Sequence, residues 1–130
     1  MKEDQAQTKT LYERLGGIDG ITTLVDDIVE NHMTNPAVNA RFLPLKEHPA
    51  HFTEVRQHLI NFLAAGSGGP QEYKGKDMLA SHKGMNISQG EYMHVVDDIM
   101  KALGKNKVDE QTQKDVLAIA YSLKKDIVGV

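Results

Sequence analysis

Apolar residues recur every three or four positions along almost the whole chain, and no stretch alternates apolar and polar residues between hairpin turns. That periodicity predicts an all-α fold. A short helix is expected over Leu11 to Leu15, stopped by Gly16-Gly17, where glycine accepts the left-handed backbone of a tight stop. The next helix carries Ile18, Ile21, Leu24/Val25, Ile28/Val29 and Met33 on one face. It should end near Asn35, because Pro36 disfavours helical geometry in the residue before it. Pro36 can itself open a short helix, which delivers Phe42 ahead of a break at Pro44. After Pro49 a third helix reads Phe52, Val55, Leu59, Phe62 and Leu63, closing at Gly66-Ser67-Gly68-Gly69-Pro70.

Gln71 to Lys76 reads as loop, and a short helix over Asp77 to His82 is terminated by Gly84. Ser88-Gln89-Gly90-Glu91 fits a capping box, opening a helix with Tyr92, Val95, Val96, Ile99, Met100 and Leu103 inward before Gly104. The last helix, from about Asp109, places Val116, Ile119, Ala120, Leu123 and Ile127 on one stripe. Four substantial helices with short connectors make a bundle-like or globin-like body. No internal repeat or linker interrupts it, so residues 1–130 read as one domain, with 1–9 a flexible polar extension.

Composition narrows the chemistry. With 130 residues the chain is long enough to bury a core without staples, and it has no cysteine, which removes disulfides, thiolate metal sites and thioether attachment of a cofactor. No apolar run approaches the roughly 18 residues of a membrane span, so the expectation is a cytoplasmic protein with no membrane partner. A net charge of −3 with both signs scattered argues against a nucleic-acid partner, which would require a basic stripe. Six histidines stand out against three Phe, four Tyr and no Trp. Any metal must be held by His or carboxylate.

His58 points within about 60° of the Val55 and Phe62 directions on the third helix, which sets an imidazole at the edge of an apolar face. His82 closes the segment Met78-Leu79-Ala80-Ser81-His82, which has no other polar group able to ligate a metal. His94 lies off the apolar stripe of its helix. His32, His48 and His51 fall near helix ends or loops, where solvated histidine is ordinary. A histidine beside apolar residues is more often a satisfied side chain than a ligand, so both readings of His58 and His82 stay open at this point. The glycine-rich stretch 66–69 follows a helix rather than joining a strand to one, and reads as a hinge rather than a phosphate loop. No zinc pair, calcium loop or nucleophile elbow occurs, and no catalytic residue is assigned.

From Leu11 to about Ile127 the chain resembles the truncated haemoglobins of group I. The likeness rests on Leu11-Tyr12-Glu13-Arg14-Leu15-Gly16-Gly17, on the run Phe62 to Gly75 with its second glycine pair, and on Met78-Leu79-Ala80-Ser81-His82-Lys83-Gly84-Met85-Asn86-Ile87. The resemblance implies a two-over-two helical sandwich enclosing a non-covalent haem b, iron protoporphyrin IX. His82 becomes the proximal iron ligand, with its other ring nitrogen oriented by a hydrogen bond. Phe42 stacks on the porphyrin, Phe62 forms the distal wall, Tyr92 and Val96 line the proximal or floor side, and Met78 and Ile87 flank the cofactor.

The departures from the family pattern are informative. Ile28-Val29 replace a common Phe-Tyr, Leu59 stands where glutamine is frequent, and Val55 takes a position that is often polar. The distal side is therefore expected to be apolar, and the missing charge-assisted donor should cost an oxygen ligand about 1 to 3 kcal/mol. His58 matches a position where relatives carry either a sixth iron ligand or a propionate partner; iron ligation, a propionate or solvent-facing role, and distal gating all remain open. Leu123 occupies the place of a histidine that crosslinks to haem in some relatives, so no such bond is expected. The implied function is reversible binding of diatomic gas, oxygen with nitric oxide or carbon monoxide. The alternative is a redox or electron-transfer protein, with nitric oxide dioxygenase or peroxidase-like chemistry, which would require a reductase partner.

Overall fold

A computed structural model of the chain describes residues 9–130. Apart from Lys9, the expected N-terminal extension lies outside the described residues. The helices are α1 (Leu11–Arg14), α2 (Gly17–Thr34), α3 (Pro49–Gly66), α4 (Met78–His82), α5 (Gln89–Lys105) and α6 (Glu110–Ile127). Helix α2 packs on both α3 and α5, and α6 packs on α5 and α4.

Local chemistry accounts for most of the boundaries. Thr10 caps α1 by accepting from the Glu13 amide at 3.1 Å, while the Glu13 carboxylate accepts from the Thr10 amide, so two donors that a helix start leaves unpaired are satisfied. Gly16 follows with φ of 94°, a left-handed conformation that reverses the chain into α2. Gly20 is needed for a different reason: a Cβ there would lie 2.2 Å from the Leu15 carbonyl oxygen, so only glycine lets α1 fold back this closely on α2. Ser88 and Glu91 form the expected capping box on α5, and Asp109 caps α6 through the Thr112 amide at 3.1 Å.

Two boundaries differ from expectation. Pro44 does not break the chain, since it sits in the first turn of a 3-10 segment, Leu43–Glu47, where its missing N–H leaves no bond unmade. A second 3-10 turn, Asn39–Arg41, precedes it, and Phe42 lies between the two. Helix α5 runs through Gly104 to Lys105, because a single glycine in a last turn costs only about 1 kcal/mol.

The core falls into two clusters. The first joins α2, α3, α5 and α6 through Ile21, Leu24, Val25, Val29, Met33, Ile60, Ala64, Leu103 and Val116, with Phe42, Phe52 and Leu63 packed against it. Fully buried Ile21, Leu24 and Leu103 each stabilise by about 2 kcal/mol. The second is smaller: Ile87, Tyr92, Val96, Ala120 and Ile127, with Met78, Leu117 and Leu123 at its edge. Met100 packs against both. The second cluster is closed by the end of the chain, where Ile87 pairs with Val128 in an isolated parallel bridge and the Gly129 amide donates to the Ile87 carbonyl at 2.8 Å.

Candidate functional site

Helix α4 is only five residues long, and Asp77 holds its start by accepting from the Ala80 amide at 2.7 Å. Its last residue, His82, is half-buried. The His82 Nδ1 lies 2.8 Å from the Met78 carbonyl oxygen and 3.0 Å from Ser81 Oγ. A carbonyl can only accept, so Nδ1 carries the proton and donates, and Nε2 is left with its lone pair. None of the described residues hydrogen-bonds Nε2. Downstream, the Asn86 amide donates to the Val130 carbonyl at 2.9 Å, which ties the segment after His82 to the end of α6. The result is an imidazole of fixed tautomer presenting a basic nitrogen from an apolar segment, an arrangement suited to ligating a metal or accepting a proton.

Several apolar residues on α3 and α4 are partly uncovered. On α3 only Ile60 and Ala64 are buried; Val55, Phe62 and Leu63 are half-buried and Leu59 is 39% exposed. Beside His82, Leu79 is 47% and Met85 38% exposed. Helix α3 packs chiefly on α2 and the 3-10 turn before it, while α4 packs on α6, so the apolar faces of α3 and α4 are not used up on each other. Leu43 and Tyr121 are as exposed elsewhere on the molecule, so the feature particular to α4 is the half-buried His82 whose Nε2 no described residue bonds.

The residues singled out from sequence divide among three places. Met78, Ile87, Tyr92 and Val96 share the second core cluster, where the Tyr92 hydroxyl donates to the Ala120 carbonyl. Val29 is buried in the first cluster, with Phe42 packed on it. Val55, His58, Leu59 and Phe62 lie along α3. His58 is not brought against His82 in this structure: its Nε2 lies 3.6 Å from Glu54 Oε1, and its ring meets the edge of Tyr73 at 5.9 Å. Tyr73 also packs edge-on against Phe62, at 5.1 Å between centroids. In the sequence Tyr73 falls within the loop expected over Gln71 to Lys76. The structure makes it the contact between His58 and Phe62, anchored by its hydroxyl on the Lys76 carbonyl.

His32 overturns its expected place in solvent. It is 5% exposed, and its Nδ1 donates to Asp98 Oδ2 at 2.8 Å, from α2 across to α5. Burial pushes its pKa below the ordinary imidazole value, and the hydrogen bond and charge of Asp98 pull the other way. His48, His51 and His94 are exposed, as expected.

The profile of the bacterial-like globin family matches residues 10–128. The chain belongs to that family. Among relatives of this globin, the group 1 truncated hemoglobin of Tetrahymena thermophila is 27% identical over an alignment covering 92% of this chain and 95% of that protein. The group 1 truncated hemoglobin of Nostoc commune is 31% identical over 74% of each. The crystal structure of the truncated hemoglobin from Tetrahymena pyriformis in its Fe(III) form superposes with a TM-score of 0.85, at 24% identity, covering 94% of this chain and all of that one. The globin's all-helical fold is thus that of the truncated, two-over-two type, as the sequence resemblance implied. No helix among its described residues is long and apolar enough to cross a membrane.

Proposed function

We propose that this globin holds a non-covalent haem b between α3 and α4 and binds diatomic gas there, with His82 as the proximal ligand through Nε2. The observation that carries the reading is the His82 ring itself. Its Nδ1 proton is committed to the Met78 carbonyl, which leaves Nε2 as the only free nitrogen and turns it away from its own helix. The residues fit the group on a second count: the half-exposed apolar faces of α3 and α4 supply the surface a flat, largely apolar macrocycle would cover. Leu123 has no nucleophilic atom to crosslink with a haem edge, which supports non-covalent retention.

When bound, haem would supply an iron centre able to take up oxygen, nitric oxide or carbon monoxide. The chain's own part is to orient and to exclude water. Met78 and Ser81 fix the His82 tautomer; Met78, Ile87, Tyr92 and Val96 support the proximal side. Val29, Val55, Leu59 and Phe62 would face the gas ligand without a hydrogen-bond donor, and Phe42 would pack on the cofactor. His58 would reach a ligand only by leaving Glu54 and Tyr73. The reading is therefore a carrier or scavenger, cytoplasmic, with loosely held oxygen, rather than a redox enzyme dependent on a reductase and a proton-managing distal group.

The test is the absorption spectrum of purified protein titrated with haem. One equivalent should bind, giving a Soret band that moves on adding carbon monoxide, and His82→Ala should abolish that signature. Absence of stoichiometric binding, or an unchanged spectrum in His82→Ala, would refute the assignment. In the ferrous, ligand-free protein a single broad visible band is expected; sharp split bands would transfer His58 to the iron.

A further inference from the structure

Deep in the first core cluster lies a polar group that gas binding does not use. Asp98, 3% exposed, receives the His32 Nδ1–H at 2.8 Å and the Asn35 side-chain amide at 3.1 and 3.2 Å on its two oxygens. Asn31 donates to the Asp98 backbone carbonyl at 2.9 Å. Two side chains from the last turn of α2 and that of its C-cap, Asn35, thus converge on one residue of α5. The other face of the His32 ring is stacked on Phe42, with centroids 4.6 Å apart and planes 24° from parallel. Phe42 sits in a segment with little helical support, between two 3-10 turns. It is flanked by Arg41, whose guanidinium grips Glu91 through Nε and Nη2, and on the inside it packs on the first core cluster and on the His32 ring.

A buried carboxylate and imidazole are a costly way to join two helices. Apolar residues of similar size would hold α2 to α5 at least as well, since desolvating charge offsets much of what the pair returns. Such a pair supplies direction: a planar ring locked by hydrogen bonds offers a flat face at one fixed orientation, which an aliphatic side chain with free rotamers does not. The only aromatic ring stacked on that face among the described residues is Phe42.

We propose that His32, oriented by Asp98 and Asn35, is a positioning residue for Phe42, and that it sets how firmly the cofactor is seated. The inference rests on the reading of Phe42 as a haem contact. It assigns to the buried pair a role in retention of the cofactor as well as in holding α2 to α5.

The experiment compares haem-loaded wild type with the double variant His32→Leu/Asp98→Leu, which removes the pair without stranding a buried charge. Unfolding midpoint and the rate of haem loss to excess apomyoglobin are measured on both. The variant should unfold at or above the wild-type midpoint, yet lose haem about tenfold faster, the size of one lost aromatic contact. Phe42→Leu should speed the loss similarly, and adding it to the double variant should bring little further change, because both act through one ring. His32→Phe/Asp98→Leu, which restores a flat ring, should recover part of the retention. Equal rates of haem loss in wild type and double variant, or rate increases that multiply on combining with Phe42→Leu, would overturn this inference and leave the gas-binding reading intact. A wild-type chain that takes up no haem overturns both.

Discussion

The region around His32 and the region around His82 each place a histidine at the end of a helix, and each ties Nδ1 to an oxygen 2.8 Å away. Around His32 the partner is a carboxylate, the carboxylate is itself held by Asn35, and the ring face is covered by Phe42. Around His82 the partner is a carbonyl of the same helix, the helix is short, and Nε2 and the nearby apolar side chains remain open. Buried bonds that run from one helix to another fix architecture. A polar atom left unsatisfied beside uncovered apolar surface is where a ligand can gain binding energy.

One substitution made in both places breaks the comparison if it is wrong. His32→Ala strands the Asp98 charge in the core, and loss of one partner from a buried pair costs about 3 kcal/mol or more. The denaturation midpoint of the haem-free chain should fall accordingly. His82→Ala removes a half-buried ring whose bond is local, so the same haem-free measurement should change by about 1 kcal/mol or less. Haem binding should respond in the reverse order, with His82→Ala losing stoichiometric uptake. If the two variants unfold alike, His32 and His82 do not differ in the way the geometry requires.

The difference between the two regions was only half legible in the sequence. His82 stands out because it closes a segment with no other polar group able to ligate, although nothing in the residue order reveals that Met78 supplies the orienting carbonyl. That bond depends on the i to i+4 closure of a particular five-residue helix. His32 was read as a helix-end histidine, but the periodicity already placed it inside: it follows Val25 by seven, Ile28 by four and Val29 by three. Proximity to the helix end does not bring exposure here, since Met33 beside it is equally buried. Asp98 was hidden for the opposite reason. It lies three residues after Val95 and four before Ala102, beside the α5 stripe, and a carboxylate there reads as solvated until a partner from another helix is known. Tyr73 could not be placed from its loop, because the reach of Gln71 to Lys76 across α3 is set by tertiary packing alone. The long helices and their caps, by contrast, follow from local patterns such as Ser88 with Glu91, and these came through with boundaries nearly unchanged.

A smaller effect sharpens the contrast between charged and neutral buried bonds. Tyr92 is 6% exposed, and its hydroxyl donates to the Ala120 carbonyl, joining α5 to α6 beneath the site. Tyr92→Phe keeps the ring and leaves only a neutral carbonyl unpaired, which should cost about 1 kcal/mol, well below the loss at His32. Denaturant unfolding at constant m-value checks this. A loss as large as that of His32→Ala would mean that the second cluster depends on this bond as much as the first depends on the bond between His32 and Asp98.

The smallest expected effect concerns the outer support of Phe42 and is read through pH. The Arg41 guanidinium, with help from the Ser88 amide, lowers the Glu91 carboxyl from its usual 4.5 to about 2. The folded chain therefore holds this proton less tightly than the unfolded chain does. The stabilisation is complete above about pH 4.5 and is lost as pH falls from there towards 2. In Arg41→Met the carboxyl loses its first and largest support, so the variant should start from lower stability at pH 6 and decline less steeply between pH 4.5 and 3. Because the pair lies at the surface, 0.5 M salt should move the wild-type curve towards that of the variant. Parallel curves would show that the acid limb belongs to other carboxylates. Phe42 would then be held from the inner side alone, by the first core cluster and the stacked ring of His32.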